Sequence, residues 1–414
     1  MNIAMFTDAY YPRINGVAVS VRTYAKALTQ LGHKVCIVCC DYEGLDDANL
    51  GKENHFHYSD SDEVSENLQI YRIPSVHVFI SKEDKSAKLT AWRSVKHEMD
   101  KFKPDVVHIN SEFMVGYFGM IYARHRGVAS VFTFHTLWED YVEGYIKFMP
   151  VYPAKKIAKN LIKFYLKRAD VIITPTERIA QVVKDYKITR PVQILPTGIP
   201  RTTKKVKNKQ DRRIFLHLNK LLPFVQKKHI LLYVGRIVKE KNLDFLLSVL
   251  MEVKKSVPDT ALVFVGGGAE YEPLKARAKK LKCAWDICFA GYRTKEELAY
   301  FYDVSDVFVF PSKTETQGLV TIEAMMEGLP VVAIGEMGTV DVMHGDNGGF
   351  MVKEDVAEFS EKVVKLLKDK ELYAKKVEEA KEWAKQWDLE VLTPKLVSFY
   401  EQAISINKAN KEKK

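Results

Sequence analysis

Nowhere does the chain carry the unbroken run of about 18 apolar residues that a membrane-spanning helix requires, which excludes an ordinary integral membrane protein. Cysteine is also sparse, five in 414 residues. Cys36, Cys39 and Cys40 share one apolar segment, and Cys283 and Cys288 lie far downstream, so the spacing builds no disulfide framework. Cys36 and Cys39 read Cys-x-x-Cys, but no second ligand pair accompanies them and buried thiols are expected there, not zinc. No cluster with metal-ligand spacing and no Ser–His–Asp arrangement occurs, so neither metal-assisted hydrolysis nor a covalent acyl route is supported; no metal and no cofactor is expected. No secretory leader is expected either. Asn2-Ile3-Ala4-Met5-Phe6 is short and runs at once into Thr7-Asp8, which predicts a cytoplasmic protein.

What is present is apolar content of 47% spread over 414 residues. That is more chain than one core usually supports, and two domains of about 200 residues each are predicted. The net charge of +10 is unevenly placed. Residues 1–198 hold 26 basic and 22 acidic side chains, residues 199–228 hold 10 and 1, and residues 229–414 hold 27 and 30. Most of the excess sits in this middle segment, where Arg201 to Arg213 has no apolar periodicity, and it reads as a solvated linker over 199–228. The domains are then 1–198 and 229–388, followed by a last amphipathic helix over 389–414, carrying Val391, Leu392, Leu396, Phe399 and Ile404, that crosses back to the first domain.

Short strand-like runs alternate with helical periodicity throughout, the pattern of parallel α/β sheets. Strands are predicted at Asn2–Thr7, Lys34–Cys40, Val106–Asn110, Ser130–His135, Val171–Thr174 and Val192–Leu195. In the second half they fall at Ile230–Val234, Leu262–Val265, Ile287–Ala290, Val307–Phe310 and Val331–Ala333. Between the first two, Val17, Val21, Tyr24, Ala25 and Leu28 share one face of a helix. The acidic, aperiodic stretch Asp41–Asn67 reads as a loop. Open parallel sheets bind ligands beyond the carboxyl ends of their strands. The chemistry-bearing residues lie at such ends, so two Rossmann-like domains facing across a cleft are expected.

Five groups of residues stand out at those ends. Glu315 and Glu323 are eight apart across a loop-to-helix junction; a pair of surface and helix carboxylates is the bland alternative. The helix following Gly318 offers free N–H groups suited to a phosphate. Arg236 closes a strand and Lys241 opens the next helix, so a fixed fork and a mobile point charge can converge on one diphosphate, or stand as solvated helix-end charges. Gly16, after Asn15, and Gly267, within Gly266-Gly267-Gly268, let backbone approach a ligand, and each is equally readable as a structural turn. The turn at Gly16 is no Gly-x-Gly-x-x-Gly fingerprint. His135 ends a strand ahead of Trp138, Glu139, Asp140 and Tyr141, where it can hydrogen-bond a sugar hydroxyl or be structural.

Residues 144–169 contain seven basic side chains and no acidic one. Lys155, Lys159, Lys163 and Lys167 recur every four positions with Lys156 beside them, and Tyr145, Phe148, Tyr152, Ile157, Leu161 and Phe164 supply apolar surface. Such a helix can lie on an anionic bilayer, or simply turn its wet face outward. Basic runs also bind nucleic acid, but no recognition motif accompanies this one and no nucleic-acid partner is expected.

Taken together, Asn15-Gly16-Val17, His135, Arg236 with Lys241, Gly291-Tyr292 and the E-x7-E pair Glu315 and Glu323 resemble the retaining glycosyltransferases of family 4, which have the GT-B fold. The resemblance implies that Glu315 holds donor-sugar hydroxyls and Glu323 the ribose. Gln317, Gly318, Leu319 and Val320 would offer backbone N–H groups to sugar and phosphate, Arg236 and Lys241 would take the diphosphate, and Tyr292 and Arg293 would lie near the base. Phe134-His135-Thr136 with Glu139 and Tyr141, and Glu315-Thr316-Gln317-Gly318-Leu319, look most like the bacterial diacylglycerol glucosyltransferases. That implies UDP-glucose as donor and a lipid acceptor, at the cytoplasmic face of the cell membrane. A soluble or sterol acceptor is the alternative, because Trp138 stands where a Tyr is more usual and Asn15-Gly16 replaces a Gly-Gly.

Overall fold

The computed structural model describes residues 1–13, 15–42, 64–78, 81–135, 151–199, 223, 229–313, 318–336 and 338–412. By internal contacts these fall into two compact units: residues up to Gly198 together with the C-terminal helix, and Ile199–Asp388.

In the first unit the strands are β1 (Asn2–Thr7), β2 (Lys34–Cys40), β3 (Leu68–Ile73), β4 (Ser75–Val78), β5 (Ser81–Ala87), β6 (Val106–Ile109), β7 (Ala129–Thr133), β8 (Val171–Thr174) and β9 (Val192–Ile194). Seven of them form a parallel sheet in the order β3-β2-β1-β6-β7-β8-β9, and β4 and β5 pair as an antiparallel hairpin. Every residue of β6, β7 and β8 is buried, the mark of a sheet covered on both faces, which is why these strands read as unbroken apolar runs. The helix Gly16–Gln30 is capped by Asn15, whose Oδ1 accepts from the Ala18 N–H at 2.8 Å. The helix Leu389–Glu412 packs on this sheet, with Leu392, Leu396, Tyr400 and Ala403 in the same core as Ile3, Met5, Val106 and Val131. Cys36, Cys39 and Cys40 are all buried on β2, none of them in a disulfide.

In the second unit β10 (His229–Val234), β11 (Thr260–Val265), β12 (Ile287–Gly291), β13 (Val307–Phe310), β14 (Val331–Ile334) and β15 (Gly349–Val352) form a parallel sheet in the order β12-β11-β10-β13-β14-β15. Each unit is therefore a Rossmann-like doubly wound domain. In each sheet the strand order reverses at one place, between β1 and β6 and between β10 and β13, and ligands of such sheets bind beyond the carboxyl ends of those strands.

Three strands went unrecognised in the sequence together with the hairpin partner of one. β3 (Leu-Gln-Ile-Tyr-Arg-Ile) lies at a sheet edge, β15 is four residues containing a glycine, β4 is four residues long and β5 is polar. Most of the loop predicted over Asp41–Asn67 and nearly all of the linker over 199–228 lie outside the described residues. No helix among the described residues is long and apolar enough to cross a membrane.

Candidate active site

At the carboxyl ends of β10, β11 and β12 three loops are stitched into one floor. The Gly235 N–H donates to Val265 O at 3.0 Å, Gly266 N–H to Gly291 O at 2.8 Å, and Ile237 N–H to Gly267 O at 2.8 Å. This closeness is what Gly266 and Gly268 serve. Their φ angles are +130° and +150°, and a Cβ on either would run into backbone oxygen, that of Gly235 or of Ile237. Gly266→Ala should accordingly destabilise the second unit by about 3 kcal/mol or more, read from a lower urea midpoint. Gly267 lies against the ring of Tyr292, whose outer face is exposed.

Arg236 and Lys241 rise from this floor. A short 3-10 turn, Lys239–Lys241, brings them to one carboxylate, Glu240, whose Oε1 lies 2.8 Å from Arg236 Nη2 and 3.9 Å from Lys241 Nζ. The two side chains are differently held: that of Arg236 is 68% exposed and that of Lys241 10%. Lys241 thus closes the 3-10 turn that precedes the helix Leu243–Ser256, which begins two residues later than expected. Glu240 escaped the sequence reading, although its position between two basic residues of the motif was a signal.

Beyond β13 the residues Glu315 and Gln317 lie outside the described residues, as do Trp138, Glu139 and Tyr141 in the first unit. Their flanks are fixed. Lys313 Nζ contacts Glu354 Oε2 at 2.7 Å, and Asn242 Nδ2 donates to Glu354 Oε1 at 2.6 Å. Both contacts hold the Glu354 carboxyl below its ordinary range, Lys313 first. Gly318, with φ +58°, caps the helix Leu319–Met326, so Leu319 and Val320 fall in its first turn, where N–H groups have no intrahelical partner. Glu323 follows on the same helix, half-buried, and its Oε2 accepts from the Tyr302 hydroxyl at 3.1 Å. Burial and that carboxylate raise the Tyr302 hydroxyl well above the ordinary tyrosine range, so it stays a donor. Arg293 reaches toward Glu297 at 4.0 Å, and its Nε is buried without a hydrogen-bond partner.

In the first unit, Gly16 opens its helix with open space where a Cβ would stand. Asp8, directly after β1, is buried and ties the start of the helix Met114–Arg126 to the sheet, accepting from Ser111 Oγ at 2.5 Å and from Val115 N–H at 3.0 Å. Burial pushes its carboxyl up to about 6. His135 follows β7, with Nε2 3.3 Å from Asn110 Oδ1. It lines a cavity of about 10 Å3, room for roughly one water, with His108, Asn110, Thr133, Tyr24 and Thr197. His108 is fully enclosed there, its Nδ1 2.8 Å from the Tyr400 hydroxyl and its Nε2 2.6 Å from Thr133 Oγ1.

Burial, with His135 adding to it, pushes His108 down to about 3. A folded-state value below the ordinary 6.5 means that the unfolded chain takes up a proton the folded one rejects, so stability is complete above pH 6.5 and is lost as pH falls toward 3. The expected slope from this residue is about 1.4 kcal/mol per pH unit below 6.5. Urea midpoints at pH 7, 6 and 5 check it, and His108→Gln should flatten the dependence.

The helix Val151–Leu166 carries the basic stripe, and the structure revises how that stripe is presented. Lys159 Nζ and Lys163 Nζ lie 4.4 and 5.2 Å from the centre of the Tyr186 ring, half-buried on the inner side. Lys155 is half-buried as well. Among the described side chains the exposed ones are Lys156, Asn160, Lys167 just past the helix end, and three apolar residues, Tyr152, Ile157 and Leu161, exposed to 80, 57 and 39%. Exposed Phe113 and Tyr117 extend this surface, the Tyr117 ring lying 5.8 Å from that of Phe164.

Two parallel doubly wound domains of this kind make up the GT-B fold. Comparison with known proteins agrees: residues 14–202 match the glycosyltransferase family 4 model and residues 218–383 the glycosyl transferases group 1 model. The chain is 31% identical over 340 residues to the alpha-monoglucosyldiacylglycerol synthase of Streptococcus pneumoniae, covering 81% of this chain and 71% of that protein. It is 28% identical over 368 residues to the enzyme of the same name from Acholeplasma laidlawii, covering 86% of each. A GDP-mannose-dependent alpha-mannosyltransferase of Mycolicibacterium smegmatis is 27% identical over 355 residues, covering 86% of this chain and 85% of that one. Among solved structures, Anabaena HepE in complex with UDP and glucose superposes with a TM-score of 0.67 at 14% identity over 96% of this chain and 98% of that one, a likeness of fold. The chain belongs to glycosyltransferase family 4 and is a glycosyltransferase.

Proposed function

We propose that the protein transfers glucose from UDP-glucose, with retention of the anomeric configuration, to the hydroxyl of a membrane lipid such as 1,2-diacylglycerol, working peripherally at the cytoplasmic face of the membrane. The observation that carries the lipid acceptor is the outward surface of the helix Val151–Leu166, where Tyr152, Ile157 and Leu161 stand exposed beside Lys156 and Lys167. Exposed apolar side chains with outward lysines nearby suit an anionic bilayer, the apolar groups entering it and the ammonium groups pairing with head groups. The similarity to the two alpha-monoglucosyldiacylglycerol synthases supports the same reading.

In this account Arg236 and Lys241 neutralise the charge that develops on the departing diphosphate. The first turn of the helix Leu319–Met326 adds N–H groups, and Glu323 binds the ribose. Glu315 and His135 hold sugar hydroxyls, Gln317 and Gly318 line the sugar and phosphate, and Gly16, Gly267, Tyr292 and Arg293 complete the donor contacts. No second carboxylate is evident in the sequence for a double displacement of the glycosidase kind, so a front-face route is favoured, with a leaving phosphate oxygen taking the acceptor proton. Proton NMR of the first product formed from UDP-glucose tests this directly. An α-glycoside is expected, and a β-glycoside would rule out the retaining mechanism.

A soluble or sterol acceptor is the second reading, and the similarity to GDP-mannose-dependent mannosyltransferases gives a specific reason to vary the donor as well.

A further inference from the structure

β6 and β7 are paired in parallel, with His108 opposite Val131 and Ile109 opposite Phe132. Alternation along each strand therefore puts His108 and Asn110, and Thr133 and His135, on one face of the sheet at its carboxyl end. The orientation of one amide decides the chemistry of this group. Asn110 Nδ2 donates to the carbonyl oxygen of His108 at 3.3 Å. The flipped amide would set oxygen against oxygen, so Oδ1, which can only accept, is the atom that faces His135 Nε2 at 3.3 Å. An acceptor at that place requires the proton of the ring to be on Nε2.

We infer that Asn110 is a positioning residue that holds His135 as the Nε2–H tautomer, so that Nδ1 presents a lone pair and selects a sugar hydroxyl over a carboxylate or sulfonate oxygen. The inference rests on the reading of His135 as a sugar contact. Desolvation pushes His135 down to about 4, so the ring is neutral near pH 7 and does not offer a second N–H. Asn110 is itself buried, 3% exposed, and cannot turn its amide toward solvent instead. Behind it the hydrogen bonds of His108 to Tyr400 and Thr133 brace β6 and β7 against the C-terminal helix. The consequence is a specificity rule: a group that donates a proton is accepted at Nδ1, and an anionic group meets a lone pair.

The test uses the full-length protein labelled with 15N-histidine, with the His135 signal assigned by its loss in His135→Gln. Long-range proton–nitrogen spectra should show Nε2 protonated and Nδ1 bare in the wild type, and Asn110→Leu should shift the ring toward the other tautomer. Asn110→Asp keeps an acceptor at the same place and favours the charged ring. It should move the kcat/KM ratio toward UDP-glucuronic acid over UDP-glucose by about tenfold, an effect that a merely structural asparagine would not produce. A wild-type spectrum with the proton on Nδ1, or an unchanged one in Asn110→Leu, overturns the tautomer assignment. An unchanged donor ratio in folded Asn110→Asp overturns the selection rule. A His135→Ala enzyme with wild-type transfer would remove the sugar contact beneath that rule and leave the tautomer result standing.

Discussion

Alanine at Arg236 is expected to lower hexose transfer by about 10^2 to 10^3-fold, the size seen when one preorganised charge-stabilising group is removed from an active site. The same substitution should change unfolding free energy by no more than about 0.5 kcal/mol. The asymmetry follows from where the side chain stands. It is 68% exposed and its guanidinium is paired with Glu240, an exposed carboxylate on the same turn. Such pairs contribute little to stability, whereas a fixed cation beside a developing phosphate charge acts only when that charge appears. Lys241→Met is a stricter companion, because the Lys241 stem is enclosed and methionine keeps most of its packing. It too should lower kcat far more than the urea midpoint. Wild-type turnover in either purified variant would remove that residue from the diphosphate site.

The second large effect is expected at the vesicle surface. Ile157→Glu combined with Leu161→Glu should reduce co-sedimentation with anionic vesicles at least tenfold, since two exposed apolar side chains that would enter the bilayer become charged. Stability should be nearly untouched, because neither side chain belongs to a core. Among the lysines, Lys156→Gln and Lys167→Gln should weaken binding more than Lys159→Gln and Lys163→Gln, whose ammonium groups rest against Tyr186. Each outward lysine is worth about 1 kcal/mol near an anionic surface. Unchanged sedimentation of the double glutamate variant would contradict the membrane account and leave the helix as an ordinary surface helix.

How far the sequence could be read follows from where each signal resides. β1, β2, β10, β11, β13 and β14 are apolar runs because parallel strands inside a sheet are buried on both faces, and such runs survive in any single chain. β3 carries Gln69 and Arg72 and β5 carries Lys82 and Lys85, so no apolar run marks them, and β4 is only the four residues Ser-Val-His-Val, too short for its alternation to stand out. Arg236 and Lys241 were legible as cations at a strand end, but Glu240, which both reach, becomes visible only once the 3-10 turn folds the motif back on itself. Asn110 and His108 needed the parallel register with β7 to become neighbours of His135 and Thr133. Tyr302 needed the packing of its helix against Leu319–Met326 before its hydroxyl could reach Glu323. The Lys155 to Lys167 spacing marked a helix but not how its lysines face: the helix ends at Leu166, and Lys159 and Lys163 rest against Tyr186, nineteen positions beyond Lys167.

Mass-spectrometric detection of transfer, offering the purified protein UDP-glucose, UDP-galactose and GDP-mannose with vesicles of diacylglycerol and anionic phospholipid, is the decisive measurement. Glucosyl-diacylglycerol formed from UDP-glucose, and faster as the anionic lipid fraction rises, is the predicted result. Donor hydrolysis without any lipid product, or transfer to a soluble acceptor at a rate indifferent to vesicles, would contradict it.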